Sequence, residues 1–199
     1  MFKSMTMLTG GALGVYMAVA SGAPSPQVLM SQLTGKVAGP AAAAAAGPVS
    51  CSTGWDNGTK TSSRAEGPST ARVNDVRVGQ HTCFDRLVID LGPGARPGYR
   101  VQYVAALRAQ GSGKVIPLRG RGTLEITVDD NAAAGFPASA SQLADVSGFS
   151  AFRQLAGAGS FEGYTEIGLG VRGQLPFSIN VLNGPGRDHR LVVDVAHQR

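Results

Sequence analysis

The chain has 199 residues, a hydrophobic fraction of 43% and a formal net charge of +5 from 18 basic and 13 acidic side chains. That length holds one domain plus a leader, and so mild a basic excess excludes the charge blocks of a nucleic-acid-binding tail. With 28 glycines, 11 prolines and aromatics at only 6%, the sequence is rich in turns, and long helical periodicity is missing after residue 50.

Residues 1–22 read as a signal peptide. Lys3 supplies a positive start, residues 5–20 are uncharged and mainly apolar, and Ala18-Val19-Ala20 forms a small-residue cleavage site. The apolar run of about 16 residues falls short of the roughly 20 of a membrane span and lacks a flanking basic stop signal. Cleavage is therefore the expectation, with a retained N-terminal anchor as the alternative. Residues 23–50 carry a single charge, Lys36, and an alanine run at 41–46 bracketed by Gly39-Pro40 and Gly47-Pro48. A helix that short is marginal in water, so the segment reads as a disordered, flexible linker. Cys51 follows Pro48-Val49-Ser50, not a Leu-type lipobox, which argues against lipidation. The expected location is secreted or envelope-associated, outside the cytoplasmic membrane, with membrane contact only through an uncleaved N-terminus.

The domain is expected over 51–199, with its core at about 71–197. The two cysteines, Cys51 and Cys83, would in an exported protein pair as a disulfide closing a loop of roughly 30 residues; two unrelated thiols are the alternative. Residues 52–70 are polar apart from Trp55, which is expected to dock on the domain. Strands follow at residues 72–78, 84–91 and 99–104, the last two separated by Gly92-Pro93-Gly94 and Pro97-Gly98. Residues 115–118 make a short strand whose Pro117 suits a sheet edge. Residues 123–129 alternate cleanly, with Leu124, Ile126 and Val128 on one face and Thr123, Glu125 and Thr127 on the other. Residues 130–150 do not alternate, and 141–145 fit one helical turn. A weak strand at 152–155 precedes strands marked by Ile167, Leu169 and Val171, then by Phe177, Ile179 and Val181, with 190–196 closing the fold.

One block recurs: Arg86-Leu87-Val88-Ile89-Asp90-Leu91 is echoed by Arg190-Leu191-Val192-Val193-Asp194-Val195. Short strands with Gly/Pro turns and no alternating helices give an all-β fold, a sandwich or barrel, and disfavour a parallel α/β sheet.

The run His81, Phe84-Asp85-Arg86-Leu87-Val88, then Gly98-Tyr99-Arg100-Val101-Gln102-Tyr103-Val104, resembles the AMIN-like domains of exported actinobacterial proteins. Gly113, Leu118, Gly120, Leu124, Phe161-Glu162-Gly163, Gly168-Leu169-Gly170 and the closing Arg190 to Asp194 block resemble them too, in the same order over about residues 72–197. The resemblance implies a two-sheet antiparallel β-sandwich. In the wider AMIN family, as the resemblance implies, that sandwich localises envelope proteins by binding peptidoglycan or associated polysaccharide. It carries over no established site. Cys83 stands where the family pattern has a small residue, usually Gly, which strengthens the expectation of a bridge to Cys51.

Enzymatic signatures are weak. Gly148-Phe149-Ser150-Ala151-Phe152 lacks the final Gly of a nucleophile elbow. His81, His189 and His197 fall at strand boundaries without metal-ligand spacing, and the cysteines are too far apart for a zinc knuckle. Asp129 and Asp130 sit at a strand end, where Asp commonly caps a turn. No catalytic residue, metal or cofactor is expected. Arg86/Asp90 and Arg190/Asp194 lie about 13 Å apart along an extended strand, so cross-strand pairing outweighs ligand binding. Tyr99 and Tyr103 share the apolar face with Val101 and read as core residues ahead of sugar-stacking platforms. The best lead is Arg96, Arg100, Arg108, Lys114, Arg119 and Arg121, which fall between Asp90 and Glu125 with no intervening acid. Guanidinium forks suit phosphates and carboxylates, so these six are the candidate ligand-binding residues; a solvated basic edge is the alternative. The expected function is a non-catalytic envelope module holding a wall glycan or anionic polymer, or else an envelope protein-interaction module acting through an exposed sheet edge.

Overall fold

The computed structural model describes residues 51–66, 71–130 and 136–198. The expected signal peptide (1–22) and linker (23–50) lie outside the described residues. Contacts divide the chain into two units, Met1–Ala45 and Ala46–Arg199, and the described residues all belong to the second.

Among the described residues the regular elements are all strands: β1 (Lys60–Ser62), β2 (Val73–Gln80), β3 (Phe84–Leu91), β4 (Gly98–Val104), β5 (Leu107–Arg108), β6 (Val115–Ile116), β7 (Gly122–Asp129), β8 (Phe152–Phe161), β9 (Tyr164–Val171), β10 (Phe177–Asn183) and β11 (His189–Ala196). One sheet has the order β1-β4-β7-β9-β8, the other β10-β11-β3-β2, and β5 and β6 form a small hairpin. The neighbours pair antiparallel, so the fold is the expected two-sheet sandwich.

Alternation builds the interior. Leu87, Ile89 and Leu91 of β3 and Leu191, Val193 and Val195 of β11 are buried against Val101, Leu124, Ile126, Val128, Ile167 and Leu169 of the other sheet. Each such side chain contributes about 1.5–3 kcal/mol relative to exposure. Tyr99 and Tyr103 pack on this core as expected, and the Tyr103 hydroxyl donates to the Leu175 carbonyl at 2.8 Å.

The repeated block acquires a structural meaning. β3 and β11 are antiparallel neighbours in a register that sets Arg86 opposite Asp194 and Asp90 opposite Arg190. Arg86 holds Asp194 in a two-bonded fork at 2.7 and 2.8 Å. Asp90 is taken instead by Arg77 of β2, at 2.6 and 2.7 Å. The charges pair across strands, not along them.

Three local expectations change. β1 and β5 were not anticipated, and β8 runs for ten residues where a weak strand of four was expected. The stretch at 141–145 forms no helical turn: the Asp145 carboxylate accepts the Ser147 N–H at 2.9 Å, and Gln154 donates to the Ser141 carbonyl at 2.9 Å. An Asp side chain that competes for backbone N–H in this way favours a turn over helix.

Two ties close the domain. Cys51 and Cys83 are bridged, with Cα atoms 5.1 Å apart, and the Trp55 ring meets the Phe84 ring edge-on at 5.6 Å. Asp85, fully buried, accepts the N–H groups of Ala151 and Phe152 at 2.6 and 3.1 Å and the imidazole Nε2–H of His197 at 2.9 Å. Replacing both cysteines by Ser should lower unfolding free energy by about 3–4 kcal/mol, the loop-closure entropy of a ring of this size. Asp85→Ala should cost about 3–5 kcal/mol by stranding buried donors. Urea denaturation measures both.

Candidate functional site

Period-two geometry decides which side chains of the five-stranded sheet point away from the core. The pairing puts Thr61, Arg100, Thr127 and Glu166 in one outward row, Gln102, Glu125 and Gly168 in the next, and Gly98, Asp129 and Tyr164 in a third. A solvated sandwich face would normally be open along its whole length. Here residues 105–121, which carry the β5–β6 hairpin, fold back over half of it. Leu107 and Leu118 lie where a Cβ on Gly168 would be, at 2.2 and 2.9 Å, and the Arg119 carbonyl lies 2.1 Å from a Cβ built on Gly170. Glycines at 168 and 170 let this excursion approach, and its Gln110 N–H bonds the Ala158 carbonyl of β8 at 2.7 Å.

The uncovered half carries a polar network. Arg100 donates to the Gln102 side-chain carbonyl at 3.0 Å, and the Gln102 amide donates to Glu125 at 3.1 Å. Glu125 shares a hydrogen bond with Glu166, which also accepts one from the Gln110 side chain. Burial first, and then the charge and hydrogen bond of Glu125, push the Glu166 carboxyl up to about 7, against the smaller opposing effect of Gln110.

At the end of this face nearest the β8–β9 turn lies a cleft of about 240 Å³, lined by Thr61, Ser62, Ser63, Gly98, Tyr99, Arg100, Thr127, Asp129 and Tyr164. Tyr164 is 46% exposed, and its cross-strand partner Phe161 is 54% exposed. The connecting Glu162 and Gly163 both have positive φ, 49° and 85°, as a two-residue type I′ hairpin requires. That turn places Tyr164 in the cleft with Arg100. Asp129 is oriented by Arg64, whose guanidinium donates to it at 3.0 Å. An exposed ring, a guanidinium, a carboxylate and several hydroxyls thus converge on one concave surface. In the sequence Phe161-Glu162-Gly163 stands only as part of the family resemblance, and neither the hairpin nor the place of Arg100 two strands away follows from it.

The six basic residues singled out from the sequence distribute themselves differently. Arg100 lines this cleft. Arg96 is exposed in the connection before β4, while Arg108 and Lys114 belong to the excursion, with Arg108 donating to the Gly113 carbonyl at 3.0 Å. Arg119 and Arg121 lie at the excursion's return, and Arg121 lines a depression together with Arg153 and Arg172, two arginines distant in sequence. Among the described residues no group of three or more His, Cys, Asp or Glu is placed to hold a metal ion.

Glu166 makes stability depend on pH. An acid raised in the folded state binds its proton more tightly there than in the unfolded chain. Its contribution is therefore full below its ordinary value of 4.5 and lost as pH rises through about 7. Screening at this half-exposed position reduces the effect to about 1–2 kcal/mol. Glu166→Gln should abolish this loss and raise the melting temperature at pH 8.5 by about 3–6 °C over wild type, with little difference at pH 4. Differential scanning calorimetry across pH measures it; identical pH profiles for the two proteins would refute the assignment.

No curated protein and no solved structure matches the chain. A family model does: the one described as AMIN-like domain covers residues 71–197, which run from the start of β2 through β11. With its sequence matched over that span and its strands arranged as a two-sheet sandwich, this chain belongs to the AMIN-like domain family.

Proposed function

We propose that this protein is an exported, non-catalytic envelope module that holds a cell-wall polymer, either peptidoglycan or an associated anionic polysaccharide. Membership of the AMIN-like family suggests an envelope- and peptidoglycan-associated role, and the Cys51–Cys83 bridge is consistent with a place outside the cytoplasmic membrane. The observation that carries the binding reading is the cleft of Arg100, Thr127, Asp129 and Tyr164.

Its chemistry suits a sugar. A pyranose ring offers C–H groups on its faces and hydroxyls around its rim. The Tyr164 ring supplies an apolar platform for the faces, and Thr61, Thr127 and Asp129 supply hydroxyl and carboxylate partners for the rim. Arg100, already aligned by Gln102, adds a fork for a carboxylate carried on the glycan. The remaining basic residues, Arg96, Arg108, Lys114, Arg119 and Arg121, would add a long-range attraction that salt screens, whereas stacking on Tyr164 would persist at high salt.

Sedimentation of the purified full chain with isolated wall sacculi, intact or stripped of anionic polymers, tests this at low and high salt. Binding should weaken with salt without vanishing. Tyr164→Ala, at an exposed position, should weaken it about fivefold to tenfold at either salt, as the loss of one stacking contact implies. Retention on stripped sacculi would identify peptidoglycan as the polymer. Wild-type sedimentation by a Tyr164→Ala/Arg100→Ala double variant would remove the cleft from the reading. Failure of the wild-type chain to sediment at all would remove the function itself.

A further inference from the structure

The opposite end of the five-stranded sheet carries a second arrangement. Gly122 of β7, Val171 of β9 and Phe152 of β8 form one row across three neighbouring strands. Arg121, Arg172 and Arg153 each stand one residue from that row. The main chain fixes their origins: the Arg121 N–H donates to the Val171 carbonyl at 2.9 Å, and the Arg172 N–H to the Ala151 carbonyl at 2.8 Å. The β8 ladder shifts register between Phe152 and Gln154, so Arg153 is the extra residue of a bulge, a device that re-aims a side chain. Together with Gly120 the three arginines line a depression of about 540 Å³, and Arg121 and Arg172 continue into an adjoining one of about 340 Å³ with Gly173 and Leu175.

Arginines gathered for stability are normally offset by carboxylates, as Arg77 is by Asp90 and Arg86 by Asp194 in this same domain. Among the described residues no acid lines either depression. The guanidinium groups are instead held by carbonyl oxygens. Arg153 donates to Phe149 and Phe152 at 2.9 and 2.6 Å and to Ser150 at 3.3 Å, and Arg172 donates to the His197 carbonyl. Carbonyls orient a guanidinium without cancelling its charge, and they leave further N–H donors on both side chains unengaged by these contacts. Gly120 adopts φ 123° with the Val171 carbonyl 2.3 Å from where its Cβ would be, which keeps the wall between Arg121 and β9 free of a side chain.

We infer that Arg121, Arg153 and Arg172 form a binding site for phosphate groups. A lone carboxylate is satisfied by a single fork, whereas a tetrahedral oxyanion offers several oxygens to donors arriving from three strands. The site does not rest on the glycan reading. The eight-residue strands β7 and β9 separate it from the Tyr164 cleft by about 24 Å, at about 3.4 Å per residue.

Titration of the ¹⁵N-labelled full chain with inorganic orthophosphate, at ionic strength held constant with chloride, tests the site through the arginine Nε–H signals. Saturable shifts confined to Arg121, Arg153 and Arg172 are expected. Arg121→Gln, at an exposed position, should raise the midpoint about tenfold while leaving the dispersed amide spectrum intact, as the loss of a charge-assisted contact implies. Long-chain polyphosphate saturating at a lower concentration per phosphate would identify a phosphate-bearing chain as the natural occupant; an equal midpoint would identify a single phosphate group. Shifts that rise linearly and include Arg100 and Arg187 would overturn the site, as would an unchanged midpoint in Arg121→Gln. Binding to phosphatidylglycerol vesicles with orthophosphate silent would overturn it too.

Discussion

The carboxylate of Asp85 is the constraint on which the working surfaces of this domain depend. It lies fully buried on β3, in one sheet, and takes the N–H groups of Ala151 and Phe152 where β8 begins, in the other. It also takes the imidazole of His197, just beyond β11. A buried carboxylate is tolerable only when its oxygens are satisfied, and here three donors from two segments do so. The consequences extend outward. Phe152, held through its N–H, starts the ladder whose bulge re-aims Arg153. Ala151, held likewise, offers its carbonyl to the Arg172 N–H, and His197, pinned by its ring, offers its own carbonyl to the Arg172 side chain. The His197 N–H closes onto the carbonyl of Cys83, so the disulfide anchors the same corner. One buried carboxylate thereby positions two of the three arginines.

A second constraint shapes the outer face of the five-stranded sheet. An antiparallel sheet can leave one face to water, and then long polar side chains usually cover it. In β9 the outward positions 168 and 170 are glycines, and the chain itself supplies the cover through Leu107, Leu118 and the Arg119 backbone. The excursion buries Leu107 completely and brings Gln110 to Glu166. Burial of part of the face raises the proton affinity of the carboxyl at its margin. The rest of the face stays open, and it is there that Arg100 and Tyr164 meet.

β3 and β7 were legible because their alternation buries one face and leaves the other half-buried, whereas β9 and β11 carry alternate apolar residues but are covered on both faces over most of their length. The repeated Arg-to-Asp block was legible as a pair of strands, and cross-strand pairing followed from the length of an extended chain. That the two copies would be direct neighbours was not written in either of them. β8 was under-read because Ala156-Gly157-Ala158-Gly159 lacks the β-branched and aromatic residues that mark a strand. These small residues are demanded by close packing: a Cβ on Gly157 would sit 2.0 Å from the Ala138 carbonyl. β1 is three residues of Lys, Thr and Ser with no apolar pattern, and it exists because the edge of β4 offers it a ladder. Along the chain, Arg96 to Arg121 form a run without acids. In space the run disperses, and Arg153 and Arg172 join Arg121 only through register. Linear charge patterning has no access to that, since residues 121, 153 and 172 become neighbours only once β7, β9 and β8 have paired.

The two ends of the sheet differ in a way that bears on what each can hold. Around Arg100 acids are close by: Asp129, itself paired with Arg64, lines the same cleft, and Glu125 and Glu166 lie on the same face. A strongly anionic ligand would meet repulsion there, increasingly so as Glu166 loses its proton. A ligand rich in hydroxyls, with one face for Tyr164 and at most an isolated charge, would not. Around Arg121 the balance is reversed, with Arg153 and Arg172 oriented by carbonyls beside it and, among the described residues, no acid lining the depression. A neutral sugar gains little from such a surface, because it cannot repay the desolvation of three guanidinium groups, whereas a multiply oxygenated anion engages several donors at once. The same sheet thus presents an end of mixed polar groups around Tyr164 and an end of clustered cations, separated by the full length of β7.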